Sequence, residues 1–409
     1  MNIFYYLIIL ITVLDFAWTQ YLAYRNRKRM SPEIPLQLQG IYDKKEYAKQ
    51  QDYQKENSRF GLISGSVSFI IILLILVFQG FGWLDGEIRQ YIQTPLLVSL
   101  AFIGILFIAN EIISLPFSYY DTFVIENKYG FNKATPKIFW IDQVKGLLLS
   151  VVLGGIILSA LIWFYTNFGN YAWLYAWGLV TAFSLFMTLF YSNIIVPLFN
   201  KQTPLEDGEL RNAIEDFSRK AGFDLTNIYV IDASKRSTKA NAYFTGFGKK
   251  KRIVLYDTLI NDLEIEEVVA VLAHEIGHYK KKHVLKSLIT SILYTGAMLF
   301  ILSFFLTSRQ LAQALGSDIP SFHLGIIAFS VLFSPISLIL GLAMNISSRK
   351  NEYEADDYAA QFGLSEALIG GLKKLSVKSL SNLNPDPLNV FIYYSHPTLL
   401  QRIENLSNK

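Results

Sequence analysis

The chain has no cysteine among its 409 residues. That absence removes disulfides, thiolate metal ligands and a cysteine nucleophile together, and it leaves the redox compartment unmarked. Charge is scarce as well. Asp, Glu, Lys and Arg make up 17% of the residues, against about 25% in soluble domains. Neither sign is in large excess: a net charge of +4 is too small to argue for a nucleic-acid partner. Histidine occurs only five times, so any imidazole-based site has few members to choose from.

What is present is apolar. Hydrophobic residues reach 52% and aromatics 15%. Seven runs are long enough to cross a bilayer, which takes about 20 apolar residues; they lie near 3–24, 61–83, 95–118, 144–166, 172–197, 284–307 and 324–347. The first carries Asp15, has no small-residue cleavage site after it and is followed by Arg25, Arg27, Lys28 and Arg29. It reads as a retained span rather than a cleaved signal. Orientation follows from Lys and Arg. Segments 25–59, 119–145, 198–283 and 348–409 carry 9, 4, 14 and 7 of them, whereas 84–94 and 308–323 carry one each and 167–171 none. The positive-inside rule puts the N-terminus outside or in the lumen and the C-terminus in the cytosol. A bacterial inner membrane and an endoplasmic reticulum both fit.

This predicts two regions. Residues 1–197 hold five spans. Residues 198–409 hold a cytosolic unit that includes a transmembrane hairpin, 284–347, and a cytosolic tail, 348–409. Within the insertion, DGELRNAIEDFSRKAGF predicts an amphipathic helix ending at Gly222. NIYVID predicts a strand, and NAYFTGFGKKKRIVLYD a hairpin about a Gly-Lys turn.

The chemistry begins at VLAHEIGHYKKKH, residues 271–283. His274 and His278 lie one helical turn apart, on one face. That spacing lets two imidazoles reach one zinc ion, with Glu275 beside the open position to act as a base. The preceding VVAVLA predicts a buried helix, where three unpaired polar groups are costly. His283, five residues past His278, falls off the shared face. It is expected to be a membrane-edge polar residue, with Lys280, Lys281 and Lys282 as headgroup anchors. His323 lies on the outer side.

The third ligand must be cytosolic. The chain leaves after His283 and returns near Ser348 through two spans of similar length, so both hairpin ends share one membrane face. SRKNEYEADDYAA follows the return. Glu352 is the expected third ligand, with Glu354 its competitor, and Asp356, four residues on, is expected to hydrogen-bond a ligand histidine. Glu354 and Asp357 are otherwise expected on a solvated face. Ala355, Ala359 and Ala360 keep this helix thin for close packing.

HEIGH, NEYEADDYA two spans later, PLFNKQTPLEDGEL, SKRSTKANAYFTGFGKKKRIVLYDTL and YYSHPTLLQRI together resemble the integral-membrane zinc metalloproteases that include the type I CAAX prenyl proteases. The resemblance covers most of the chain. It implies a mainly α, polytopic fold: seven transmembrane helices around a central water-filled chamber, capped by a cytosolic zinc metalloprotease domain with a small β-sheet. It implies one zinc ion per chain held by His274, His278 and Glu352, catalytic roles for Glu275 and Asp356, and removal of the last three residues of prenylated CAAX proteins.

Beside the resemblance, three stretches are candidates on their own chemistry. His396 in YYSHP is a cytosolic candidate for stabilising the oxyanion. Arg402 can orient the acidic ligands or contact substrate. Asn241, Ala242 and Tyr243 lie on a candidate edge strand for an extended peptide. Asp15 and Glu111, inside apolar spans, are expected to face a cavity or each other. Expected partners are a peptide or protein substrate, prenylated or not, and membrane lipid. Two readings compete with prenyl-protein processing: a quality-control protease without prenyl specificity, and a transporter with a structural zinc. The latter requires a fourth protein ligand.

Overall fold

A computed structural model describes residues 2–31, 33–223, 225, 227–245 and 252–409. Helix α1 spans Ile3–Lys28, with the Asn2 side chain capping its start and three basic residues in its last turn. Helix α2, Lys44–Val77, is capped by Asp43, whose carboxylate accepts the Lys45 and Glu46 N–H groups. Its 34 residues make a rod of about 51 Å. That is some 20 Å more than the hydrocarbon core needs, so the charged segment 44–60 and the span beyond it form one helix. The span expected to reach residue 83 instead ends at Val77: Gln79 adopts φ 53° and turns the chain into α3, Gly80–Tyr91.

Helices α4 (Pro95–Tyr120, running on through a π-helical turn to Tyr129), α5 (Pro136–Asn167) and α6 (Ala172–Ile194) complete the N-terminal membrane region. At the membrane face opposite the metal helix, Asp85 of α3 is buried and accepts from Arg89 (2.9 Å), Ser317 (2.8 Å) and His323 (2.9 Å), while the other His323 nitrogen meets Ser99 Oγ at 3.0 Å. This network satisfies a charged group that would otherwise be costly to bury. It ties the hairpin's return to α3 and α4. Six helices are long and apolar enough to span a membrane, and a bent pair makes a seventh. Only 6–17% of each of the six spans' apolar windows is buried. These helices touch along narrow seams rather than packing into a solid bundle. Asp15 accepts from Ser334 Oγ and does not pair with Glu111.

The unit outside the spans is built on a four-stranded sheet of order β1-β2-β4-β3, with β1 Gln202–Pro204, β2 Asn227–Ile231, β3 Ala242–Thr245 and β4 Arg252–Tyr256. Strands β2 and β4 pair in parallel; β3 pairs antiparallel to β4 and forms an edge. The Gly-Lys turn expected between β3 and β4 lies outside the described residues. Helix α7, Glu209–Lys220, precedes β2 and ends before Gly222, which takes φ 56°.

Helix α8, Ile265–Lys280, opens with a reciprocal cap between Glu264 and Glu267. Val268, Leu272 and Ile276 recur every fourth residue and enter a core with Ile214, Phe217, Ile253, Leu255 and Leu368. Burying each such side chain stabilises by about 1.5–3 kcal/mol. That apolar stripe fixes the rotation of α8 and turns His274 and His278 the other way. Helix α9, His283–Leu306, carries the chain out; α10, Phe322–Leu332, and α11, Ser334–Ala360, bring it back. The return is bent by 58° between α10 and α11, beside Pro335, whose ring and missing N–H break the helical ladder. From the bend, α11 runs unbroken out of the membrane into the NEYEADDYAA segment. Helix α12, Ser365–Lys378, and α13, Leu399–Ser407, close the chain over α8 and α11.

Candidate metal centre

Helices α8 and α11 cross in close contact because both carry small residues at the crossing. Ala355 and Ala359 are fully buried. A Cβ on Gly277 would lie 3.0 Å from Tyr358 Cβ and 3.1 Å from the Ala355 backbone. The glycine in HEIGH therefore lets α11 approach near enough for Glu352 to reach the histidines.

Three ligand-capable side chains converge there: His274, His278 and Glu352. The two Nε2 atoms are 3.1 Å apart. Glu352 Oε1 is 3.2 Å from His278 Nε2, and Oε2 is 3.5 Å from His274 Nε2. Donors of a tetrahedral zinc site, at 2.0–2.1 Å from the ion, stand about 3.3 Å from one another. Oε2 of Glu352 is buried without a hydrogen-bond partner among the described residues.

The protons can be followed outward from this point. Asp356 Oδ1 lies 2.8 Å from His274 Nδ1 and takes its N–H. Arg402 forks onto the same carboxylate, Nε to Oδ2 at 2.9 Å and Nη2 to Oδ1 at 2.5 Å. On the other side, His283 Nε2 faces Glu354 Oε2 at 3.0 Å and carries its proton there. Its Nδ1 then accepts from His278 Nδ1–H, also at 3.0 Å. Each ligand histidine is thus left with a bare lone pair on Nε2, and the two lone pairs face each other beside a carboxylate. Such a grouping repels itself unless a cation or a proton stands among its members. The donor set therefore fits a metal ion.

The electrostatics agree. Burial works to raise the Glu352 pKa, but His274 and His278 outweigh it and hold the carboxyl well below its ordinary value. Burial likewise opposes ionisation of Asp356, and the bonds from His274 and Arg402 overcome it. For His274, burial lowers the pKa, while Asp356 and Glu352 raise it above the ordinary value. A cavity of about 350 Å³ opens on the group. Glu275, His396, Asn241, Ala242 and Arg402 line it, with an apolar wall of Leu368, Leu372 and Leu375. Among the described residues Glu275 has no hydrogen-bond or ion-pair partner.

Residues 23–201 match the family model described as CAAX prenyl protease N-terminal, five membrane helices, and residues 204–409 match Peptidase family M48. The chain belongs to peptidase family M48. It is 36% identical to a CAAX prenyl protease 1 homolog of Oryza sativa subsp. japonica over 97% of this chain and 95% of that one. It is 34% identical to CAAX prenyl protease 1 of Saccharomyces cerevisiae over 97% and 93%. The crystal structure of S. mikatae Ste24p superposes with a TM-score of 0.93 at 31% identity, covering 99% of each chain. The protein is accordingly a multi-pass membrane metallopeptidase of mainly helical fold, and its substrate is a peptide or protein.

In this M48 chain the expected site residues distribute as follows. His274, His278 and Glu352 meet; Asp356 and Arg402 stand behind His274. His396 is largely exposed, with Nε2 3.4 Å from Glu352 Oε1. Asn241 and Ala242 line the cavity. Tyr243, by strand alternation, points to the opposite face, where its hydroxyl meets Ser192 Oγ at 3.2 Å. His283, Glu354 and Asp357 differ from expectation. His283 is not at the membrane edge but buried beside His278, because Lys282 takes φ 59° and resets the helical phase. Glu354 is not merely solvated; it receives the His283 proton. A left-handed lysine leaves no mark in sequence comparable to glycine, so this pairing was not readable there. Asp357 also has partners, Asn405 at 3.0 Å and Lys409 at 3.3 Å.

Gly277→Val is expected to wedge α8 from α11. Overpacking of this kind costs about 1–3 kcal/mol, read as a lower thermal midpoint in detergent, together with weaker metal retention against a chelator.

Proposed function

We propose that this chain is a membrane zinc metalloendopeptidase that removes the C-terminal tripeptide of prenylated CAAX proteins. The observation that carries the metal half of this reading is the mutual approach of two imidazole lone pairs and one carboxylate within 3.1–3.5 Å, beside a carboxylate, Glu275, that has no partner among the described residues. The prenyl half is supported by relatives named CAAX prenyl proteases along nearly the whole chain.

His274, His278 and Glu352 hold one zinc ion, which when bound supplies Lewis acidity to the scissile carbonyl and to water. Glu275 takes the proton of the attacking water on its carboxylate and delivers it to the leaving amide nitrogen. His396, at the cavity mouth, donates from Nε2 to the developing oxyanion. Asp356 and Arg402 keep the His274 ring turned toward the ion; His283 and Glu354 do the same for His278. The free edge of β3, with Asn241 and Ala242 at the cavity, offers backbone groups to an extended peptide. Tyr243 faces away and supports the strand. The pattern of Lys and Arg places this site and the C-terminus on the cytosolic side and the N-terminus opposite. Residues 1–197 then serve as the membrane region and 198–409 as the peptidase unit, with lipid around both. A structural zinc in a transporter is disfavoured because the convergent group has three protein members among the described residues, not four. A quality-control protease without prenyl preference is the remaining second reading.

Glu275→Gln is expected to retain zinc and lose peptidase activity; activity equal to the parent protein would remove the base assignment. Glu352→Ala is expected to lose zinc by elemental analysis. His283→Ala and Glu354→Ala are expected to keep it but to weaken affinity by about 10–100-fold, measured by chelator competition, with recovery in Glu354→Gln, which retains an acceptor for the His283 N–H. A farnesylated CAAX peptide is expected to be cleaved faster than its unmodified twin by the purified protein. Equal rates would favour the quality-control reading.

A further inference from the structure

A groove of about 1180 Å³ lies away from the metal site, between the charged half of α2 and the end of α4. Its character changes along its length. On the cytosolic side α2 contributes Lys45, Lys49, Lys55 and Arg59, and Lys128 adds a fifth cation from beyond α4. Asp52 and Glu56 are the lining carboxylates, which leaves a net charge of 5 − 2 = +3. Glu56 is committed to Lys128 at 2.7 Å and to the Tyr129 hydroxyl at 2.8 Å. Lys55 reaches Asp52 only at 4.0 Å. Lys45, Lys49 and Arg59 are exposed and have no carboxylate within ion-pair distance among the described residues. Just past Arg59 the lining turns apolar. Phe60 stacks on Tyr120 with centroids 5.4 Å apart, and Ile63, Pro116 and Phe117 continue toward the bilayer.

We infer that this groove binds an anionic glycerophospholipid of the cytosolic leaflet, its phosphate among Arg59, Lys49 and Lys55 and an acyl chain against Phe117 and Ile63. Spacing supports it. Lys45, Lys49, Asp52, Glu56, Arg59 and Ile63 recur at three and four residues, one stripe along a single helix, and the change from basic to apolar falls where α2 enters the hydrocarbon. Basic pockets between helices at this level attract anionic headgroups, with each Lys or Arg near the surface contributing about 1 kcal/mol. The competing occupants use only part of the groove. Inorganic phosphate leaves the aromatic half wet. An acidic peptide leaves it equally unfilled. A zwitterionic lipid brings an ammonium group toward a net positive wall. The inference goes beyond the proposed peptidase activity and does not depend on the substrate's identity.

The test is intact-protein mass spectrometry of the full chain in detergent, titrated with phosphatidylglycerol and with phosphatidylcholine of the same acyl chains. Phosphatidylglycerol is expected to be retained at least about tenfold better. Lys45→Gln/Lys49→Gln/Arg59→Gln is expected to bring it to the phosphatidylcholine level, while Lys133→Gln/Lys137→Gln/Lys201→Gln, an equal loss of charge outside the groove, leaves retention unchanged. Arg59→Gln alone gives a smaller loss in the same direction and serves if the triple variant fails to fold. Ile63→Asn is expected to weaken lipid retention, and excess inorganic phosphate or a poly-glutamate peptide to displace little of it. Equal retention of the two lipids, equal loss in both triple variants, or full displacement by phosphate or peptide would overturn the inference. Peptidase activity toward a soluble peptide in detergent is expected to be unchanged in the groove variants.

Discussion

Two imidazole nitrogens, stripped of their protons by neighbours on opposite sides, face each other 3.1 Å apart beside a carboxylate. Much of the unit outside the spans is arranged to hold that unfavourable grouping. Asp356, held by Arg402, accepts the Nδ1–H of His274 on one side; His283, held by Glu354, accepts that of His278 on the other. The core beneath α8 fixes the rotation of the metal helix, and the Gly277–Ala355 crossing brings α11 near enough for Glu352 to contribute its charge. Remove any one support and the ring it orients is free to turn its Nε2 away.

The membrane is part of this site rather than its container. Only two residues separate the end of α8 from the start of α9, and α11 carries Glu352 on the same unbroken rod that crosses the bilayer. The carboxylate's position therefore depends on the length of the outward and returning arms, on the bend beside Pro335, and on the knot in which Asp85 grips His323. A lipid-facing element thus sets the register of Glu352 outside the spans.

The parts of the site carried by local spacing were legible in advance. His274 and His278 share a face because four residues make about one turn; Glu352 and Asp356 do so for the same reason, and their identification needed only that the hairpin return to its starting side. The positions of His283 and Glu354 were not legible. A straight continuation of α8 puts His283 off the shared face, and only the left-handed Lys282 returns it. Tyr243 turns away from the cavity for a simpler reason: successive side chains of a strand point to opposite faces. The end of the second span at Val77 depended on Gln79, again a non-glycine residue in a conformation favoured by glycine.

By itself the sequence determined the membrane class, the approximate number of spans, the absence of sulfur chemistry and the pairing of histidines one turn apart, because each follows from composition or from helical period. Tertiary structure alone decided which protons the imidazoles carry, how closely α11 can approach α8, and that His283 belongs to the centre. Those outcomes rest on distances between residues 5 to 128 positions apart and on single backbone dihedrals, and neither is encoded in any local pattern.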